Sequence, residues 1–186
     1  AYGQIIFSKF PIINSGLIKK NEYGINRIIY VDIVKNEDTV RVYNVHLRSF
    51  GLQNEDKEFI QNPKTKDGSE ETKTKQVGRK LKWAFEQRSD QAESLFSHME
   101  ETKFPKIVMG DFNDTPMSYS VNLIGKNMEN AFQKKGNGWG VTHFELLPIL
   151  QIDYIFCENK FSVNNYQVVK KKLSDHYPIY ADLSIN

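Results

Sequence analysis

Two short runs of this chain, Lys106 to Gly110 and Ile152 to Cys157, carry apolar residues at consecutive rather than alternate positions. A strand built from either has no face suited to water, so the sheet that holds it must be covered on both sides. Other runs rich in Ile, Val and Tyr read as strands: Gln4 to Ile13 around Ile5-Ile6-Phe7, Arg27 to Val34, and Val40 to His46. Asn36-Glu37-Asp38 is a turn between the last two. Pro178 to Ile185 alternates Ile179, Ala181, Leu183 and Ile185 with Tyr180, Asp182 and Ser184, as a half-exposed strand should. Between these lies a helical period. Leu81, Ala84, Phe85, Arg88, Ala92, Leu95, Phe96 and Met99 recur at steps of three and four, which predicts a helix of about five turns. Ser118 to Ile124 is a shorter one. Strands on both sides of a long helix predict an α/β fold with sheets covered by helices.

Leu52 to Lys80 stands apart, crowded with charge, poor in apolar residues and interrupted by Pro63 and Gly68. It reads as a long surface loop, a place where binding loops and lids are found. The chain has 186 residues, with 39% hydrophobic and 26% charged, which excludes a disordered or disulfide-dense class and suits one domain spanning 1–186. Lys plus Arg number 25 against 23 Asp plus Glu, a net charge of +2, so any basic surface is local. Cys157, the one cysteine, has no disulfide partner and reads as a buried thiol. No run approaches a membrane-spanning length.

Chemistry-bearing residues gather where apolar strands end, the place where a sheet exposes side chains to a cleft. They are Val45-His46-Leu47-Arg48, Met109-Gly110-Asp111-Phe112-Asn113-Asp114, Ile152-Asp153-Tyr154-Ile155 and Ser174-Asp175-His176-Tyr177-Pro178. Singly, each is explained as a polar turn or a cap. As an ordered set they are not, since Gly-Asp-Phe-Asn alone arises by accident about once in a thousand chains of this length.

The set resembles the endonuclease/exonuclease/phosphatase superfamily, whose members include deoxyribonucleases, abasic-site endonucleases, inositol polyphosphate phosphatases and neutral sphingomyelinases. Ile6-Phe7-Ser8-Lys9-Phe10-Pro11-Ile12 is similar to the family's Ser-Arg/Lys-Phe-Pro-Ile segment, and Gln87-Arg88 to Gln91-Ala92 resembles its long helix. The resemblance implies two packed mixed β-sheets flanked by helices, a four-layer sandwich. It implies hydrolysis of a phosphate ester by direct attack of water, with Mg²⁺ or Mn²⁺ as cofactor. It also assigns roles. Asp111 orients or deprotonates the water, and Asn113 beside it, on the same side of an alternating strand end, holds a phosphate oxygen. His176 is the donor or general acid at the phosphate, with Asp153 orienting its ring and raising its pKa. His46 contacts the phosphate from the opposite wall, and Asp175 with Asp111 binds the metal.

The pattern is also broken. The family's Glu metal ligand and a phosphate-contacting Asn precede the Ser-Lys-Phe-Pro-Ile segment, so the resemblance implies a domain lacking its first elements, with weak metal affinity and poor turnover. Glu22 lies downstream in a polar turn and is not assigned that role. The expected partner is a phosphate-ester substrate, whether nucleic acid, inositol phosphate or phospholipid headgroup, and the expected state is a monomer. A noncatalytic binding or scaffold domain of the same fold is the rival reading. Arg88, a charge on the apolar helix face, is expected to be ion-paired in the interior. Lys170-Lys171-Lys172 reads equally as a basic rim to the site or as a solvated strand edge. His98 and His143 have no evident partners, although the His143 loop leads into the Asp153 strand and so toward the cleft. Trp83 and Trp139 read as core or rim packing ahead of base-stacking platforms.

Overall fold

In the computed structural model, residues 3–18, 27–62, 70–145 and 150–186 are described. The chain runs β1 (Ile12–Leu17), β2 (Ile28–Lys35), β3 (Asp38–His46), α1 (Asn54–Gln61), α2 (Glu70–Glu100), β4 (Lys106–Asp111), α3 (Tyr119–Ile124), β5 (Glu129–Asn130), α4 (Ala131–Lys135), β6 (Asp153–Cys157), β7 (Phe161–Val168) and β8 (Ile179–Ile185). Six strands form a mixed sheet in the order β1-β2-β3-β4-β6-β5, in which only β3 and β4 pair in parallel. The second sheet is the antiparallel pair β7-β8. Among the described residues no helix is long and apolar enough to cross a membrane.

Both faces of the large sheet are covered around β4 and β6, which is why the runs at Lys106 to Gly110 and Ile152 to Cys157 lack a polar side, whereas edge strand β1 is exposed. Side chains of one parity, Ile28, Tyr43, Val45, Val108, Tyr154 and Phe156, pack against Ala92, Leu95 and Met99 of α2 and Val121 and Ile124 of α3. The other parity, Val31, Val40, Val42, Ile155 and Cys157, packs against Phe161, Val163 and Tyr166 of the small sheet. Cys157 is buried there as expected, and burial pushes its thiol up to about 11.

Several expectations are corrected. Leu52 to Lys80 is not a loop: α1 and the first turns of α2 lie within it, while Pro63 and Gly68 fall outside the described residues. Its charged residues are good helix formers, and they pair. Lys75 bonds Glu71 one turn away, and Lys73 and Lys80 both reach the buried Asp56 carboxylate of α1. The long helix therefore begins about three turns before Leu81. Phe85, placed on its apolar face, is 45% exposed. Gln4 to Ile13 is not one strand either; only Ile12–Leu17 enters the sheet, at its open edge. β7 went unread in the sequence because a bulge between Val163 and Asn165 shifts its alternation from odd positions to even ones.

One buried ion pair fastens the sheet. Asp32 of β2 stands opposite Arg41 of β3, and the guanidinium donates to both carboxylate oxygens at 2.6 and 2.7 Å. Asn14 of β1 donates to the same carboxylate at 2.9 Å, and Tyr30 covers the guanidinium at 4.5 Å. Burial alone would raise the Asp32 carboxyl, but the bonds from Arg41 and Asn14 outweigh it and hold it below its ordinary 3.8. A carboxyl depressed in the folded state contributes stability that is complete above pH 3.8 and is lost as pH falls through its lower native value. Asp32→Ala is expected to lower stability at pH 7 by about 3 to 5 kcal/mol. The deficit should shrink as pH is taken below 4, where Asp32 itself takes up a proton. Urea denaturation across pH measures both.

Candidate active site

Strand register assembles the site. His46 ends β3 directly beside Asp111, which ends β4, and Asp111 in turn stands opposite Asp153, the first residue of antiparallel β6. Three side chains distant in sequence thus share one edge of the sheet. Gly110 makes the close approach possible: its φ is 136°, and a Cβ there would lie 2.0 Å from the Val45 carbonyl oxygen.

The fourth contributor comes from the turn before β8. His176 Nδ1 lies 2.8 Å from Asp153 Oδ2, so the ring is oriented by a carboxylate as the resemblance implied. Burial works against charge on this imidazole, but the Asp153 bond, with Asp111 and Asp175 nearby, overcomes it and raises the pKa to about 9. His176 is therefore cationic at neutral pH. Burial and the neighbouring Asp153 charge push the Asp111 carboxyl up as well, to about 7, against the lowering influence of His176. His46 Nε2 is 3.7 Å from Asp111 Oδ2; its pKa is lowered by burial and by the His176 cation. The cleft between these groups measures about 650 Å³ and is closed on the far side by Leu52 and Lys57 at the start of α1.

Asn113 is placed differently from the expectation. Its backbone is left-handed, with φ of 50°, so it has left the strand and its side chain folds back. The amide nitrogen donates to Asp111 Oδ2 at 2.9 Å and to the Leu47 carbonyl at 3.1 Å, while the backbone N–H donates to Asp111 Oδ1 at 2.7 Å. Strand alternation is not what brings Asp111 and Asn113 together; this turn is.

Donor atoms fall into two adjoining clusters that share His176. One joins Asp111, Asp153 and His176, and the other joins His143, Asp175 and His176, each within 4.8 Å. No such cluster among the described residues contains both Asp111 and Asp175, the pair expected to share a metal. His143 is the member that sequence reasoning left without a partner. It pairs in a β-bridge with His176, its ring meets that ring edge-on at 4.9 Å, and its Nε2 lies 4.0 Å from Asp175. The one sign of it in the sequence is that its loop leads into the Asp153 strand; its partners come from the fold. Glu22 lies outside the described residues.

Behind the cleft, α2 clamps the loops that carry it. Arg88, fully buried, donates from Nε to Asp114 at 2.9 Å and from Nη1 to the Arg48 carbonyl at 2.8 Å. Gln91 accepts the Arg48 N–H at 2.7 Å. The interior ion pair expected for Arg88 is present, and it ties the segment after His46 to the segment after Asp111. Of the other singled-out residues, His98 Nδ1 meets the Tyr43 hydroxyl at 2.9 Å, and Trp83 carries the Arg48 guanidinium on its face at 4.4 Å. Trp139 does not pack in the core; its side chain stands in solvent.

A two-sheet α/β fold that crowds imidazoles and carboxylates at one sheet edge is the architecture of a family that includes metal-dependent nucleases and phosphatases. The sequence model of the Endonuclease/Exonuclease/phosphatase family matches residues 1–176, and the chain belongs to that family. No curated protein matches the sequence. Among solved structures it is similar to a 3′ phosphatase, NExo, from Neisseria bound to product DNA hairpin, at 17% identity and a TM-score of 0.62, covering 95% of this chain and 73% of that one. A mannosyl-6-phosphatase from Bacteroides thetaiotaomicron gives 16% identity and 0.60, covering 95% and 68%. The human Nocturnin catalytic domain with bound sulfate anion gives 18% and 0.60, covering 95% and 60%. At these identities the likeness is one of fold.

Asp153→Asn is expected to bring the His176 pKa down from about 9 toward its ordinary 6.5, because the charge that holds the proton is removed. An NMR titration of the imidazole carbons reads this directly. An unmoved value would show that Asp153 does not set it.

Proposed function

We propose that the chain hydrolyses a phosphate ester by direct attack of water, with a divalent cation, Mg²⁺ or Mn²⁺, as cofactor. The observation that carries the reading is the convergence of His46, Asp111 and Asp153 on adjacent strand ends, with His176 bonded to Asp153 across the same cleft. The named similar structures range from a sugar phosphatase to a DNA 3′ phosphatase, and their common chemistry is the phosphate ester.

In this reading Asp111 accepts the proton of the attacking water; without a cation, burial and the Asp153 charge raise its carboxyl to about 7, and a cation bound beside it would lower that value. Asn113 holds that carboxylate in place; contact between its amide and a phosphate oxygen requires exchange of one of the bonds it now makes. His176, cationic and held at Nδ1 by Asp153, donates from Nε2 to the phosphate or the leaving oxygen. His46, held neutral by burial, donates to the phosphate from the Asp111 side.

The donor set fits a hard cation. Asp111, Asp153 and Asp175 bring oxygen ligands, and the mutual repulsion that raises Asp111 is relieved by added positive charge. Asp111 and Asp153, which fall in one donor cluster, are the carboxylates that would hold the ion, and a cation bound there would neutralise charge on the phosphoryl and leaving oxygens.

The test is turnover of phosphomonoesters and phosphodiesters across a Mg²⁺ or Mn²⁺ titration. His176→Ala and Asp111→Asn are each expected to slow it by about 10²- to 10⁴-fold. Undiminished turnover in His176→Ala would falsify the mechanism. The rival, a noncatalytic domain of this fold, predicts no turnover at any metal concentration.

A further inference from the structure

Trp139 is 89% exposed, yet the loop that carries it is not slack. Gly138 and Gly140 flank it with φ of 74° and 64°, values that other side chains rarely adopt. The loop sits directly on the Phe132 ring of α4: a Cβ at Gly136 would lie 2.1 Å from that ring, and one at Gly140 2.7 Å. Phe132 is itself braced edge-on against Tyr166 at 5.6 Å. A seated loop therefore holds the indole in a fixed place with its face open to water, which leaves it available for stacking.

Beside the indole is a depression of about 600 Å³ walled by Lys135, Asn137, Asn165, Tyr166, Gln167 and Lys170. Its polar lining is two cations and three carboxamides, with no carboxylate among the described residues. Tyr166, also in the lining, is 4% exposed, and its hydroxyl is buried with no hydrogen-bond partner. The depression lies near the catalytic cleft, with no lining residue in common. His143 follows Trp139 by four residues, so their Cα atoms are within about 15 Å. Lys170 donates to the Val141 carbonyl at 3.0 Å and lies over the ring of Tyr177, the residue after His176, at 4.3 Å.

Resting on the phosphate-ester reading above, we propose that this depression is a nucleobase subsite and that the substrate is a single-stranded oligonucleotide. One base stacks on Trp139, while Lys135 and Lys170 meet phosphates of the same strand. A flat ring between cations matches a polymer that alternates bases with phosphates. An exposed Trp also suits a sugar ring, but a neutral sugar chain leaves both lysines without a counterpart, and the depression offers no carboxylate to bind its hydroxyls. The carboxamides supply donors and acceptors for base edges.

Anisotropy of a labelled oligothymidylate, measured in chelator so that nothing is cleaved, tests this apart from catalysis. Trp139→Ala is expected to weaken binding roughly tenfold, and Trp139→Phe, which keeps a stacking ring, to restore most of it. The wild-type chain should bind an abasic oligomer with the same number of phosphates as weakly as Trp139→Ala binds oligothymidylate. Lys135→Ala should weaken both oligomers alike and reduce the salt dependence by about one phosphate contact. Equal affinity for abasic and base-bearing oligomers, equal affinity of wild type and Trp139→Ala, or displacement of the label by a neutral oligosaccharide at lower concentration than by unlabelled oligothymidylate each overturns the subsite. Hydrolysis of a small chromogenic phosphodiester by the wild-type chain is measured separately. Its absence counts against the hydrolase reading and leaves the binding comparison intact.

Discussion

A guanidinium sealed from water holds the two loops on which the site stands. Desolvating Arg88 is costly, and the cost is offset because Asp114 neutralises it, the Arg48 carbonyl accepts from it, and Phe50 and Phe85 lie against it at 4.4 and 4.7 Å. Arg48 follows His46 by two residues and Asp114 follows Asp111 by three, so the clamp fixes both strand ends at once. The Tyr154 hydroxyl, donating to the Asp114 carbonyl at 2.9 Å, extends the hold to the strand that begins with Asp153. Without that interior pair, register alone would set the backbone, and the loops beyond it would lack a common anchor.

What the sequence revealed followed from burial. Strands covered on both sides have apolar residues at every position, so a polar residue at their ends is conspicuous, and His46, Asp111 and Asp153 stood out for that reason. Arg88 stood out for the converse one, a charge on an apolar helix face. Other parts were hidden because their signals are not periodic. The helices within Leu52 to Lys80 are stabilised by charge pairs around Asp56, which read as solvent exposure. β7 changes its alternation at a bulge, and Asn113 reaches Asp111 through a left-handed turn. His143, Lys57 and Trp139 acquire meaning from neighbours far along the chain.

The electrostatics of the site follow from packing three carboxylates around one imidazole. Asp153 spends its charge on His176 and makes it a cation; Asp111 lacks an equal partner and is left easy to protonate. Two groups with unlike tasks thus arise from one cluster, as an environment that separates pKa values allows. His46 and His143 are both lowered by burial and by the same cation, so one imidazole carries the charge and two stay neutral.

The width of the cleft at its floor is set by a missing atom. With the Val45 carbonyl 2.0 Å from where a Cβ at position 110 would stand, that position is closed to every other residue type, and the spacing of His46 from Asp111 is frozen with it. Leu52, just before α1, and Lys57 within it border the same cleft from a segment that shares no ladder with the sheet, so a substitution there leaves the register of the floor untouched.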